Sequence, residues 1–154
     1  MRTSGGVAVA AFALGLALSL PISNALADPK AEVAAATTAW TQAIADPDKV
    51  SSLYSDDAVL WGTLSPRIRS GRTSVREYFA GVAKALPDFK VDFGDQLIRV
   101  YGNAAVSSGY YTFSWAKDGE TKTLPSRYSF TFVKDGERWL IVDHHSSAMP
   151  APPK

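Results

Sequence analysis

The sequence predicts an α+β domain in which about three N-terminal helices pack on a curved, mainly antiparallel sheet. Up to Leu86 most apolar residues follow helical spacing, whereas from Phe89 onward apolar and polar residues alternate in runs of strand length. Gly-Asn and Asp-Gly pairs separate these runs, and an Asp-Gly pair between alternating runs is typical of a hairpin turn. Helices followed by such a meander indicate helices on one face of a sheet.

Three helices are predicted in the N-terminal half. Apolar side chains at helical spacing mark the first, 33–44, and the third, 75–86, which Pro87 closes. Between them Asp46 can cap a short helix, 48–55, with proline just after the cap. Three aromatic residues of this half are expected in the core: Trp40, Tyr54 and Trp61.

Six strands follow from the alternating runs: 58–61, 89–93, 96–101, 104–116, 121–133 and 138–146. Hairpins centred on the two Asp-Gly pairs place Tyr110 beside Arg127, and Arg127 opposite His144. In this register the large aromatic residues of the last three strands share one face, and Tyr110, Arg127, His144 and Ser146 share the other. A shift of one residue would exchange the two faces on one strand.

The N-terminus has the order of a secretory signal. Arg2 precedes an apolar segment, 7–20, and Ala25 and Ala27 form a small-x-small cleavage site before Asp28. The apolar segment is shorter than the roughly 20 residues that span a bilayer as a helix. We therefore expect cleavage after Ala27, a periplasmic or secreted location and no membrane partner for the mature chain. A retained membrane anchor is the alternative.

The chain divides into a signal peptide at 1–27, one domain at 28–148 and a proline-rich tail at 149–154 that is expected to be disordered. It has 16 basic and 15 acidic residues, and one of the bases, Arg2, lies in the signal. No excess of charge therefore favours nucleic acid or anionic lipid as a partner. The sequence contains no cysteine, which excludes disulfides, thiolate metal ligands and cysteine nucleophiles.

The polar run from Asp143 to Ser146 ends the last predicted strand and holds both histidines of the sequence, His144 and His145. Successive residues of a strand point to opposite faces, so two adjacent histidines cannot aim at one metal ion, and no further histidine or cysteine could complete a zinc site. A Ser/His/Asp triad is disfavoured for the same reason, and no Gly-x-Ser-x-Gly motif is present. We therefore expect no metal, no cofactor and no catalytic residue in this run.

Arg127 and His144 together indicate an anion pocket instead. On one concave face the guanidinium would offer a planar fork for a carboxylate, and the imidazole a second hydrogen bond that depends on pH. The expected binding residues surround this pair: Tyr110, Arg127, Asp143, His144, His145 and Ser146. The alternative is a structural role in which Arg127 pairs with Asp143 or with a backbone carbonyl.

Four stretches carry a resemblance to a known family: "AWTQAIADPDKVSSLYSDDAVLWGTLS", "IRSGRTSVREYF", "GYYTFSW" and "SRYSFTFVKDGERWLIVDHHSSAMP". They resemble the bacterial exported relatives of the calcium/calmodulin-dependent protein kinase II association (hub) domain, SnoaL-like proteins of the nuclear transport factor 2-like superfamily. The resemblance covers nearly all of 30–150. It implies a cone-shaped half-barrel, a cavity between helices and sheet, and homodimers or larger rings formed through the sheet.

The resemblance also bears on the polar run. In the kinase hubs the last strand tends to carry His-x-His-Arg, and these positions fall here on Asp143, His144, His145 and Ser146. Only the second histidine is kept, as His145, so the resemblance does not carry the anion pocket of the hubs onto these positions, and Arg127 on the neighbouring strand would have to compensate.

Two functions follow from these features. The first is an exported, non-catalytic module that binds a small anionic or aromatic molecule in a cone-shaped cavity, or that serves oligomerisation. The second is a small enzyme of the isomerase, dehydratase or cyclase type, in which a carboxylate or histidine in a dry cavity moves a proton. We favour the first, because no acidic residue of the sequence matches a base beside an oxyanion site and fold alone does not imply activity.

We predict a mature N-terminus at Asp28, because the small-x-small site at Ala25 and Ala27 precedes a polar segment. N-terminal sequencing of the exported protein measures this directly. A product that still carries residues 7–20 would show that the segment is an anchor and that the membrane is a partner.

Overall fold

The computed structural model describes residues 28–153, so the export signal predicted at 1–27 lies outside the described residues. The helices are α1 (Pro29–Ala43), α2 (Pro47–Ser51) and α3 (Arg72–Ala85), and the strands are β1 (Tyr54–Trp61), β2 (Arg69–Ser70), β3 (Lys90–Tyr101), β4 (Ala104–Lys117), β5 (Glu120–Asp135) and β6 (Arg138–Ala148). None of these helices is long and apolar enough to cross a membrane.

The strands form one curved, unclosed sheet in the order β2-β1-β6-β5-β4-β3. All neighbouring strands are antiparallel except β1 and β6, which run parallel. The helices pack on one face of this sheet, and the core lies between the two layers. This architecture confirms the predicted α+β class.

Proline and aspartate begin the first two helices, as the sequence indicates. Asp28 caps α1 and Asp46 caps α2, each through a carboxylate that accepts backbone N–H groups of the first turn, and a proline follows each cap. The helix α2 ends at Ser51 and not at the predicted position 55. The reason is that the chain is already extended from Tyr54, which pairs with β6 and buries its ring completely.

Two polar contacts tie the helices to the sheet. Glu32 of α1 accepts hydrogen bonds from Lys134 Nζ at 2.6 Å and Trp139 Nε1 at 2.8 Å, and the hydrogen bond from Lys134 is the main cause that lowers the pKa of the Glu32 carboxyl. Arg72 of α3 donates to the backbone oxygen of Tyr54 from Nε at 3.0 Å and Nη2 at 2.8 Å. The helices are thereby held over the inner face of the sheet.

The β4–β5 hairpin has the predicted turn. Asp118 and Gly119 both have positive φ, 54° and 78°, as a two-residue type I′ turn requires. Tyr110 therefore lies beside Arg127, as predicted.

The register of β6 differs from the prediction. The β5–β6 turn is centred one residue beyond the Asp-Gly pair, which shifts the pairing by two residues and leaves the faces unchanged. A bulge then adds one more residue, because Val142 has no partner on β5. Arg127 consequently lies opposite Ser147 and not opposite His144, and every residue of β6 beyond the bulge points to the face opposite to the one predicted.

The strand β3 is continuous where two strands were predicted. The Gly94-Asp95 pair forms a bulge within it, not a turn. Gly109 of β4 makes this possible, since a Cβ atom there would lie 2.1 Å from the backbone oxygen of Asp95. The two-residue strand β2 lies between the predicted strand 58–61 and the predicted helix 75–86, where no element was predicted.

The predicted aromatic face of the sheet is confirmed as the core face; its members are Tyr111, Phe113, Trp115, Tyr128, Phe130, Phe132, Trp139 and Ile141. Trp40 and Tyr54 are also buried, as predicted. Trp61 is 50% exposed, so its predicted place in the core is wrong. Leu60 points inward, and the alternation along a strand turns its neighbour Trp61 outward.

The C-terminal segment 149–153 has no regular secondary structure. The backbone N–H of Met149 donates to the backbone oxygen of Pro125 at 3.0 Å, which holds the start of the segment against β5. Disorder of the predicted tail stays a prediction.

Candidate functional site

An apolar slot lies between the helices and the inner face of the sheet. Its lining consists of Trp40, Gly62, Leu64, Tyr78, Phe79, Val82, Leu86, Phe89, Tyr111, Phe113, Trp115, Leu124, His144 and Ser146. The space between these atoms is about 400 Å³ including the open mouth, but the part that a water molecule can enter is only about 20 Å³. That is room for about one water molecule. Aromatic side chains therefore fill most of the cavity that the resemblance implies.

The mouth of the slot is held by weak contacts around Tyr78. The backbone N–H of Leu64 donates to the Tyr78 hydroxyl at a long 3.4 Å, and the Arg69 guanidinium lies 6.0 Å from the centre of the Tyr78 ring. Gly62 leaves space for this ring, since a Cβ atom there would lie 2.4 Å from it. The polar contacts that hold the Tyr78 ring at the mouth are therefore weak, and the ring is held mainly by packing on Phe79, whose ring centre lies 5.2 Å away.

His144 lies on the floor of the slot with only 2% of its surface exposed. Its ring centre is 4.3 Å from that of Phe130 and 5.4 Å from that of Trp40. This burial, with a smaller contribution from the neighbouring His145, lowers the pKa of His144 to about 3. The imidazole is therefore neutral at neutral pH.

Two hydrogen bonds assign the tautomer of His144. The Trp40 indole can only donate, and its Nε1–H donates to the Tyr54 hydroxyl oxygen at 2.9 Å. The Tyr54 hydroxyl lies 2.8 Å from His144 Nδ1, and within residues 28–153 it has no other acceptor for its own hydrogen. Nδ1 is therefore the acceptor, and the ring proton lies on Nε2. We call this chain of groups the Trp40–Tyr54–His144 relay.

The Nε2 atom of His144 is buried and has no hydrogen-bond partner. It is the one such side-chain atom in the described part of the chain. Buried polar groups in proteins are nearly always paired, so an unpaired N–H on a residue that lines the slot indicates a position that a bound water or another molecule completes.

A second polar group on the floor is a cluster of hydroxyls. The Tyr111 hydroxyl donates to Ser146 Oγ, which also shares a short hydrogen bond with Thr63 Oγ1. Burial raises the pKa of Tyr111, so the phenol keeps its proton. These hydroxyls satisfy one another, in contrast to His144 Nε2.

The structure distributes the six sequence-predicted binding residues over two faces. His144 and Ser146 line the slot, whereas Tyr110, Arg127, Asp143 and His145 lie on the outer face of the sheet. The predicted pair of Arg127 and His144 is therefore wrong, because the bulge at Val142 turns His144 inward. His145, onto which the resemblance carried the hub histidine, points away from the slot.

Arg127 also lacks the structural partners considered for it. Its Nε donates to Ser147 Oγ at 3.1 Å, and neither Asp143 nor a backbone carbonyl is among its partners in residues 28–153. It shares a shallow depression on the outer face with Tyr110 and Asp95. Among the described residues no acidic or basic side chain lines the slot, and no three His, Asp or Glu side chains cluster as metal ligands would.

Most of the polar groups in and around the slot were not among the residues predicted for the site. Trp40 and Tyr54 were assigned to the core without a polar role, and Thr63 and Tyr111 were not considered as site residues. The residue types alone indicate that polar partners lie nearby, because a buried indole N–H or phenol O–H needs a hydrogen-bond partner. Tryptophan and tyrosine on a predicted core face therefore indicate a polar group nearby.

Comparison with known proteins gives several matches. The family model of the SnoaL-like domain matches residues 33–152. A crystal structure from Xanthomonas campestris, described as a calcium/calmodulin dependent protein kinase II association domain, is 36% identical, with a TM-score of 0.71 over 77% of this chain and 86% of that chain. No curated protein sequence matches the chain.

Two more distant structures show likeness of fold alone. One is described as a dehydratase from the NTF2-like family of Streptomyces avermitilis, with 19% identity and a TM-score of 0.72 over 80% of this chain and 97% of that chain. The other is a ketosteroid isomerase-like protein from Erwinia carotovora atroseptica, with 20% identity and a TM-score of 0.65 over 81% and 99% of the two chains.

We predict that His144 makes the protein less stable in mild acid. The pKa of His144 is about 3 when folded, against the ordinary value of 6.5 for a histidine, so below pH 6.5 the unfolded chain binds a proton that the folded chain does not. The stability present above pH 6.5 is therefore lost as the pH falls toward 3, by up to about 1.4 kcal/mol per pH unit. Between about pH 7.5 and 5 the wild type should lose about 2 kcal/mol more than His144→Gln in urea unfolding.

The matched control for this measurement is His145→Gln. His145 is exposed and adjacent in the chain, and its variant keeps the buried imidazole of His144, so it should still lose more stability in mild acid than His144→Gln does. Carboxylates also change the free energy of unfolding over this pH range. Subtracting the loss measured for His144→Gln from that of the wild type removes their contribution. Equal losses in the wild type and His144→Gln would mean that His144 is not held neutral in the core.

Proposed function

We propose that this chain, which belongs to the SnoaL-like domain family of the NTF2-like superfamily, binds a small, uncharged and mainly apolar molecule in the slot between its helices and its sheet. The family membership confirms the resemblance predicted from the sequence. One observation carries the proposal: aromatic and aliphatic side chains line the slot, and the polar groups on its floor are neutral hydroxyls and a neutral imidazole. Apolar walls with a few placed polar groups are typical of small-molecule sites.

The lining argues for an uncharged ligand. Burying a carboxylate without a partner is costly, and none of the described residues that line the slot is basic. Arg127, which was expected to pair with an anion, lies on the outer face. Of the anionic and aromatic ligands expected from the sequence, the aromatic one matches the chemistry of this lining.

The lining also favours binding over proton-transfer catalysis. A general base works best with a pKa near the working pH. The pKa of His144 is about 3 and its Nε2 carries the ring proton, so it is a weak base at neutral pH. Burial raises the pKa values of Tyr54, Tyr78 and Tyr111, which keeps them protonated. The dehydratase and isomerase names belong to distant relatives, and the shared fold does not transfer their activity.

Entry of a ligand requires movement at the mouth. The slot holds about one water molecule, so a larger ligand must displace Tyr78 and Leu64. Leu64 is 52% exposed and holds Tyr78 only through the long hydrogen bond of its N–H. We propose that these two side chains move apart when the ligand binds.

We predict that the protein binds methyl benzoate at least tenfold more tightly than benzoate. The two molecules share an aromatic ring, and only benzoate would bring an uncompensated charge into the slot. Titration calorimetry at neutral pH measures both affinities. Tighter binding of benzoate would restore the anion pocket and contradict the proposal.

Two phenylalanine substitutions on α3, one inside the slot and one on the surface, test where the ligand binds. Val82→Phe adds bulk inside the slot and should abolish binding, whereas Lys84→Phe adds the same side chain to the exposed surface of α3 and should leave binding unchanged. Thermal melting of both variants checks that each remains folded. Unchanged binding in a folded Val82→Phe protein would place the ligand elsewhere.

We propose self-association through the outer face of the sheet as a second function. Large apolar side chains lie exposed on this face at both flanks, Trp61 on β1 and Leu97 on β3, at 50% and 61% exposure. Between them the paired residues Ser108 and Ser129 are small and leave the centre flat. The 36% identical relative is described as an association domain, which supports a second copy of this chain as the partner.

We predict a homodimer at micromolar concentration by light scattering. The double substitution Trp61→Glu and Leu97→Glu places charges at both flanks of the proposed interface and should yield a monomer. Ala35→Glu, on the exposed side of α1, is the control and should remain dimeric. A wild-type monomer across this concentration range would exclude association through the outer face.

We also propose that the chain is exported. The support for this location is the N-terminal segment 1–27 alone, with its apolar run and small-x-small site. Cleavage after Ala27 would place the binding slot and the outer face of the sheet in the periplasm or outside the cell.

A further inference from the structure

We propose that the Nε2–H group of His144 donates a hydrogen bond to a carbonyl oxygen of the ligand, so that the slot selects flat, uncharged molecules with a carbonyl group. This inference rests on the proposed binding function and names the chemical class of the ligand. Three features carry it: an unpaired donor, a relay that holds the donor, and a shape that limits the body of the ligand.

The donor is the unpaired Nε2–H of His144. The imidazole is buried, its other nitrogen is occupied by Tyr54, and Nε2 has no partner among the described residues. A buried donor without a partner is destabilising, and a ligand acceptor at this position would remove that cost. His144 is therefore a specificity-determining residue for the slot.

The Trp40–Tyr54–His144 relay decides that the ligand group is an acceptor. If the ring proton moved to Nδ1, it would compete with the Tyr54 hydroxyl hydrogen, which would then lose its acceptor. The Trp40 indole cannot relieve this conflict, because it only donates. Tyr54 is thus a positioning residue: it does not contact the ligand, but it keeps His144 Nε2 as the donor.

The surroundings favour a carbonyl over a hydroxyl as the acceptor. A ligand hydroxyl would bring its own hydrogen, which needs an acceptor, and Ser146 Oγ is already bonded to Tyr111 and Thr63. A carbonyl oxygen accepts without adding a donor. Trp40 and Tyr111 stack on each other with ring centres 6.0 Å apart, so no ring fits between them. The narrow slot beside them, lined by aromatic side chains, favours a flat body once Tyr78 and Leu64 have moved apart.

The first test measures the tautomer in the protein without ligand. In ¹⁵N NMR spectra of the wild type, the nitrogen shifts and ring-proton couplings of His144 should show the proton on Nε2, and His144→Phe assigns the signals. Tyr54→Phe removes the hydroxyl and should shift the ring toward a mixture of both tautomers. A wild-type ring with its proton on Nδ1 would overturn the inference without touching the binding function.

The second test uses a matched pair of probes, 1-indanone and indane. Both are flat and uncharged, and they differ in one carbonyl group. Calorimetry should show about tenfold tighter binding of 1-indanone to the wild type, as one net hydrogen bond gives. The preference should vanish in His144→Phe, fall in Tyr54→Phe and persist in His145→Phe, whose side chain lies on the outer face.

The outcomes separate this inference from the binding function. Equal affinity for both probes in the wild type would overturn the carbonyl preference and leave apolar binding intact. Binding of neither probe would overturn both proposals. A crystal structure with a water molecule on His144 Nε2 that 1-indanone does not displace would also overturn the inference, since the donor would then serve the water alone.

Discussion

The bulge at Val142 is the constraint on which the interior of this protein depends. Before it, strand β6 contributes Trp139 and Ile141 to the core; after it, the strand contributes His144. A regular strand would have turned His144 to the outer face opposite Ser129, and it would have turned Asp143 and His145 toward the core instead. One unpaired residue therefore places His144, and not Asp143, in the aromatic core.

That core must then accommodate the polar atoms it encloses. The Tyr54 hydroxyl lies between the Trp40 indole and the His144 ring, so a single oxygen satisfies one donor and one acceptor. Burial keeps His144 neutral, and a neutral imidazole costs much less free energy to bury beside Phe130 than a charged one. The same contacts that stabilise the fold leave Nε2 as the one buried side-chain nitrogen or oxygen atom of residues 28–153 without a partner, so the proposed recognition would use residues that also stabilise the fold.

The two faces of the sheet have separate chemistry. The inner face presents aromatic walls and neutral polar atoms under the helices, whereas the outer face presents exposed apolar side chains, the charged Arg127 and small residues in its centre. Because strand residues alternate, one sheet supports both faces without sharing side chains between them. A ligand in the slot and a second copy on the outer face could therefore be bound independently.

The sequence by itself determined the α+β class, the three helices, the Tyr110–Arg127 pairing and the aromatic core face, because helical spacing, strand alternation and an Asp-Gly turn are local signals. It located the polar run of the site but assigned its faces wrongly. Only the tertiary structure decided that His144 points inward and Arg127 outward. The physical reason is that a single bulged residue reverses the face of every residue after it, and the pairing that creates the bulge leaves no mark in the local pattern.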